Sequence, residues 1–205
     1  MSLCLVIAAL FFCPIHAEKK DTATTKEKKQ IEIPWEKIKI SDSAKKKLKE
    51  INLDFDQVMK EIKEASSIFK LNITKEELKK EEGFQTESIK DEKNIIMFNT
   101  SGGITAEYVF IKKKLHKVGG LMRHDKKVKY VLTLSFQSKD CIEWLKFYFP
   151  EKDYEVTLNF THKKEIKIHK ISYRPNYNNK EKSKRYNIDF KENGDIGNIS
   201  HVKYN

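Results

Sequence analysis

The stretch VKYVLTLSFQSKDCIEWLKFYFP, residues 128–150, decides how this chain is read. Its first half alternates. Val128, Tyr130, Leu132, Leu134 and Phe136 occupy every second position, the pattern of a strand with one face buried. Its second half does not alternate. Cys141, Ile142, Trp144, Leu145, Phe147, Tyr148 and Phe149 surround the chain with apolar groups. That pattern predicts a deeply packed helix over 139–149, capped by Ser138 and stopped before Pro150.

Upstream, Ala44, Leu48, Ile51, Phe55, Val58, Ile62, Ala65 and Phe69 are spaced alternately by four and three. This is the single apolar stripe of an amphipathic helix. Ser41 or Ser43 can cap its start, and Asp54 with Gln57 offers a second cap. The helix can therefore break at Asn52-Leu53-Asp54. Thr74 to Glu82 predicts a shorter helix ended by Gly83. Before the stripe, Ile31, Ile33, Trp35, Ile38 and Ile40 around Pro34 predict a short edge strand.

Downstream of residue 94 the period is two. IIMFN (95–99) and ITAEYVFIK (104–112) predict a hairpin about Ser101-Gly102-Gly103. KVGGLMR (117–123) is a weaker strand, where Gly119-Gly120 marks a bulge or a close backbone approach. Two more hairpins follow. One joins 155–160 to 165–173. The other joins 184–190 to 196–204 about Asn193-Gly194-Asp195. Ile166 and Ile168 fall on one face of their strand, Ile171 and Tyr173 on the other, which predicts a bulge near His169-Lys170. The slip from Ile199 to Val202 predicts another. Bulged antiparallel strands bend.

The fold class that follows is α+β: N-terminal amphipathic helices, then a curved, mostly antiparallel sheet with one inserted helix. By element order alone this resembles the cystatin-like and NTF2-like architectures. No motif of either family is present, so the resemblance implies no functional residue.

The chain has 205 residues, of which 41 are Lys or Arg and 30 Asp or Glu. Residues 2–15, SLCLVIAALFFCPI, carry no charge. The apolar run Leu3–Phe12 has the length of a signal-peptide core and is too short to span a bilayer. Ala17 ends it at a small residue, and EKKDTATTKEKKQ follows. We expect residues 1–17 to be a removed export signal, 18–40 a polar linker with the edge strand, and 41–205 one domain, secreted or periplasmic. No Lys or Arg precedes the run. Cys13 raises the question of lipid attachment, yet Phe11 and Phe12 are bulky where that processing needs small residues.

Cysteine and charge exclude further classes. Cys4 and Cys13 lie in the presumed signal, which leaves Cys141 alone, so no internal disulfide holds the domain. The net charge is +11. Only Arg123, Arg174 and Arg185 are arginine, the lysines are dispersed, and most alternate with acids. That argues against nucleic acid, whose phosphates and guanines favour clustered arginine.

Catalytic and cofactor motifs are missing. There is no HExxH or CxxC, no glycine-rich phosphate loop and no nucleophile elbow. His169 and His201 sit in similar contexts, IHKISY and ISHVKY, and could meet across a sheet. Cys141 could form a dyad with a histidine only if the fold supplies one. No metal site and no cofactor are expected. Four sequons, at Asn72, Asn99, Asn159 and Asn198, are glycan acceptors if the source is eukaryotic. The last two lie in predicted strands, which limits access.

The reading is an exported binding or interaction protein whose partner is a protein or a small apolar ligand. That ligand would enter between the curved sheet and the 139–149 helix, against Tyr130, Trp144, Phe147 and Tyr148. Two alternatives stand beside it. One is a small hydrolase- or isomerase-type enzyme using the same pocket. The other is a cationic binder of anionic surfaces. The sequence does not give the oligomeric state.

Overall fold

A computed structural model describes residues 33–138, 141–162, 165–179 and 183–203. The export signal, most of the linker and Ile31 lie outside the described residues. Three short helices come first: α1 (Asp42–Glu50), α2 (Phe55–Ser66) and α3 (Lys75–Leu78). Ten strands follow. They are β1 (Phe84–Lys90), β2 (Lys93–Asn99), β3 (Ile104–Ile111), β4 (Lys114–His124), β5 (Lys127–Ser138), β6 (Cys141–Phe149), β7 (Tyr154–His162), β8 (Ile166–Pro175), β9 (Lys184–Phe190) and β10 (Ile196–Lys203). Every strand pairs antiparallel with the one before it, so the sheet is a meander in chain order, and it does not close.

This corrects the expected class. Strand accounts for 53% of the structure and helix for 19%, so the protein is sheet-dominated rather than α+β. The inserted helix does not exist: residues 141–149 are β6, paired with β5 on one side and β7 on the other. Leu145 and Phe147 point to the covered face and are buried, while Trp144 and Tyr148 stand on the opposite face. Aromatics on both faces of one strand mimic an all-round apolar helix. The edge strand expected around Pro34 is instead a 3-10 turn (Trp35–Lys37), although Ile33, Ile38 and Ile40 are buried.

One row of side chains explains the sheet. Register places Ile96, Tyr108, Val118, Leu134, Leu145, Leu158, Ile171 and Ile188 side by side across β2 to β9. All eight are buried. They share a core with Leu48, Phe55, Val58, Ile62 and Phe69 from the helical segment. The neighbouring row faces the other way: Glu107, Thr133, Lys146, Thr157, Ser172, Asn187 and Ser200. Alternation between these rows makes one face apolar and helix-covered and the other mostly polar, with Met97, Trp144 and Tyr148 as apolar exceptions.

Local chemistry sets the helix ends. The Ser41 hydroxyl accepts from the Ala44 N–H, and the Asp54 carboxylate accepts from the Gln57 N–H, so α1 and α2 are separate helices broken at Ile51–Asp54. Thr74 and Glu77 form a reciprocal capping box on α3. The bulge expected near His169 is present. Asn159 pairs with Lys170 and Phe160 with Ile168, so His169 is the extra residue. In β10 the register shift lies between Ile196 and Asn198, not between Ile199 and Val202. Those two residues occupy opposite faces of an exposed edge.

Gly120 marks a close approach. A Cβ there would lie 2.5 Å from the Thr105 carbonyl oxygen and 2.9 Å from the Ala106 Cβ. Only glycine fits between these strands at that point.

Candidate functional site

The amphipathic phase of α2 brings Glu61 to the border of its apolar stripe, three residues after Val58. Alternation in β7 turns Tyr154 inward with Val156 and Leu158. The turn Pro150–Lys152, with Asp153 in the left-handed region at φ 51°, swings Lys152 over the same spot. These three groups meet although more than ninety residues separate Glu61 from the other two.

Glu61 is buried and fully partnered. Its Oε1 accepts from Gln57 Nε2 at 2.6 Å and from Lys152 Nζ, and its Oε2 accepts from the Tyr154 hydroxyl. Beside it, the Tyr173 hydroxyl donates to the Asn52 carbonyl at 3.0 Å. Asn52 sits in the left-handed region at φ 61°, between α1 and α2. Together these residues line a recess of about 350 Å³ at the rim where α2 leaves the sheet. Leu53, Asp54, Val58, Pro175 and Asn176 complete its wall.

The electrostatics follow from these contacts. Burial by itself would raise the Glu61 carboxyl, but the hydrogen bonds from Gln57, Lys152 and Tyr154 outweigh it and hold the group below its ordinary value. Burial, then the hydrogen bond to Glu61 and its charge, push the Tyr154 phenol far above ordinary tyrosine. Burial, with Tyr186 beside it, pushes Tyr173 up to about 12. At neutral pH the carboxylate is therefore ionised and both phenols are protonated. A general acid needs a raised carboxyl and a tyrosine base a lowered phenol, so these shifts run opposite to acid–base use.

A second, wider recess of about 860 Å³ lies between the Pro34–Ser41 segment, the start of β8 and the β9–β10 turn. Its charged lining mixes signs: Glu36, Glu165 and Glu192 with Lys37, Lys39, Lys167 and Lys191. It lacks the convergent buried polar groups of the smaller recess.

The residues picked from sequence as a pocket divide between faces. Tyr130 and Phe147 lie on the covered face with ring centroids 6.2 Å apart. Trp144 and Tyr148 lie on the open face. There Tyr148 packs on Tyr177 at 4.6 Å, and its hydroxyl donates to Asn178 at 2.8 Å. The Arg174 guanidinium lies 4.6 Å from the Tyr177 ring centroid. Nearby, the buried Glu155 carboxylate is bridged by Lys146 at 2.7 Å and Arg185 at 3.7 Å. The helix expected to form one wall of the apolar pocket is strand β6, and its Leu145 and Phe147 belong to the buried core.

The histidines do not converge. β9 separates His169 on β8 from His201 on β10, and His201 packs on Tyr186 at 6.1 Å. Cys141 is half-buried, its sulfur 3.8 Å from Gln137 Oε1. Among the described residues no group of three His, Cys, Asp or Glu is placed to hold a metal ion. Asn72, Asn99 and Asn198 are exposed, and Asn159 is half-buried on the open face. Strand position therefore does not hide Asn198.

Sequence reasoning missed Glu61, Lys152, Tyr154 and Tyr173. One signal was present: an inward-facing tyrosine needs a partner for its hydroxyl, and Tyr154 and Tyr173 both fall on the inward phase of their strands. Which partner it finds is not local information. No known protein family matches the chain, and comparison with characterised proteins finds no match either.

Proposed function

We propose that the chain is an exported binding protein whose small polar ligand enters the recess between the α1–α2 turn, the Pro150–Lys152 turn and the ends of β7 and β8. One observation carries this reading. A carboxylate, an ammonium and two tyrosine hydroxyls converge on a concavity of about 350 Å³, within the range of small-molecule sites. The packed interior supports a rim site over the apolar pocket first expected. The uncharged run at residues 2–15 and the small Ala17 support export.

Two measurements test it. The mass of the protein isolated from its own cells should correspond to a chain beginning at Glu18, and an intact N-terminus would refute export. Nuclear magnetic resonance shift mapping with a panel of small polar metabolites should move the amides of Asn52, Lys152 and Asn176. Shifts confined to the open face or to the wider recess would refute the site.

A further inference from the structure

The rim recess does not end at Tyr173. Register places Tyr173, Tyr186 and His201 in one row across β8, β9 and β10, on the helix-covered face. Their rings form a stepped shelf. Tyr173 and Tyr186 are stacked at 6.3 Å with 24° between planes, and His201 follows Tyr186 at 6.1 Å, tilted by 45°. The next row, Ile171–Ile188–Ile199, shows where the helical cover stops: the first two residues are fully buried, whereas Ile199 is 37% exposed. Tyr186 is half-buried and His201 exposed. Tyr173, which lines the recess, is therefore the inner end of an aromatic row that runs outward to the exposed sheet edge.

Resting on the proposed rim site, we infer that its ligand is a neutral sugar ring, seated on the Tyr186–His201 shelf with its hydroxyls in the recess. Charge argues for neutrality. Glu61 is compensated by Lys152, and Asp54 caps α2 and lies 3.6 Å from Lys49. Neither a cation nor an anion finds an uncompensated partner among these groups. Hydrogen-bonding chemistry argues for hydroxyls. The side-chain amides of Asn52, Gln57 and Asn176 each carry both donors and an acceptor, as a sugar hydroxyl does. The Tyr173 hydroxyl keeps acceptor capacity after donating to Asn52. Shape argues for a ring: a pyranose has an apolar C–H face that matches the face of one aromatic ring, here Tyr186, and a polar rim that turns toward the recess.

The test is a nuclear magnetic resonance amide-shift titration of the folded protein with neutral mono- and disaccharides, run beside charged amino acids and small amines. Tyr186→Ala and Tyr186→Phe are titrated in parallel, after circular dichroism confirms that both fold. Expected is binding of at least one neutral sugar, weakened about tenfold by Tyr186→Ala and retained by Tyr186→Phe, because the ring face and not the hydroxyl makes the contact. Amines or amino acids shifting the recess amides while sugars do not would overturn the sugar assignment and leave the rim site standing. Sugar binding indifferent to Tyr186→Ala would overturn the shelf. If no compound shifts the recess, the rim site itself fails.

Discussion

Glu61 holds together three parts of the chain that no local rule connects: α2, the Pro150–Lys152 turn and β7. Replacing it with Gln keeps the shape and removes the charge that Lys152 and Tyr154 meet. The expected cost at neutral pH is about 1–3 kcal/mol, toward the lower end because Lys152 is half in solvent. The pH dependence has a definite sign. The folded carboxyl lies below its ordinary value, so its contribution is complete above the unfolded pKa of about 4.3 and fades as pH falls through the folded value. Urea unfolding of wild type and Glu61→Gln should differ at pH 7 and converge in acid. A constant difference down to pH 2 would remove this role. Gly120 acts at the same scale by what it lacks. Gly120→Ala forces a methyl against the Thr105 carbonyl, and about 1–3 kcal/mol of overpacking is expected, read as a lowered unfolding midpoint. An unchanged midpoint would mean that the strands move apart freely.

The elements differ in how far their own sequence defines them. α2 is well specified, with a stripe from Phe55 to Ile62 and a cap at Asp54. Asp54→Ala should cost about 1 kcal/mol, and loss of helical signal below the wild-type transition would confirm that α2 frays first. β6 is poorly specified, because Trp144 and Tyr148 place large apolar groups on its open face. The aromatic and β-branched content of CIEWLKFYF and its nine-residue length favoured a strand, but periodicity alone did not separate the two. β1 (FQTESIK) gave no strand signal. It is an edge strand whose inward Glu87 pairs with Lys75 of α3 at 3.0 Å and with Lys79, just past its end, at 2.6 Å. An inward charge keeps a sheet edge from pairing with another chain. Glu87→Val should therefore increase concentration-dependent light scattering, and an unchanged signal would show that this edge needs no such guard. The bulge at His169 was legible because the apolar phase slips within a single strand.

Across the whole molecule, stability should be graded from the middle outward. The central strands carry side chains that exclude water completely, such as Leu134 and Leu145, and β10 buries only Ile196. Hydrogen exchange should therefore be slowest in β5 to β7 and fastest in the edge strands β1, which buries no side chain, and β10. Uniform protection would mean that the ten strands open as one unit. The sequence by itself determined the caps and apolar stripe of the helical segment, the hairpins and the apolar phase of most strands. All of these are written in neighbours a few residues apart. It left open whether the stripe breaks at Asn52–Asp54 and whether Gly119-Gly120 is a bulge or a close approach. Only the tertiary structure decided that β6 is a strand, that the polar β1 joins the sheet, and that Glu61, Lys152, Tyr154 and Tyr173 share one recess. The reason is physical. Periodicity reports which side of an element is apolar. Which partner covers that side, and which distant polar groups are desolvated together, is set by strand register over the full length of the chain.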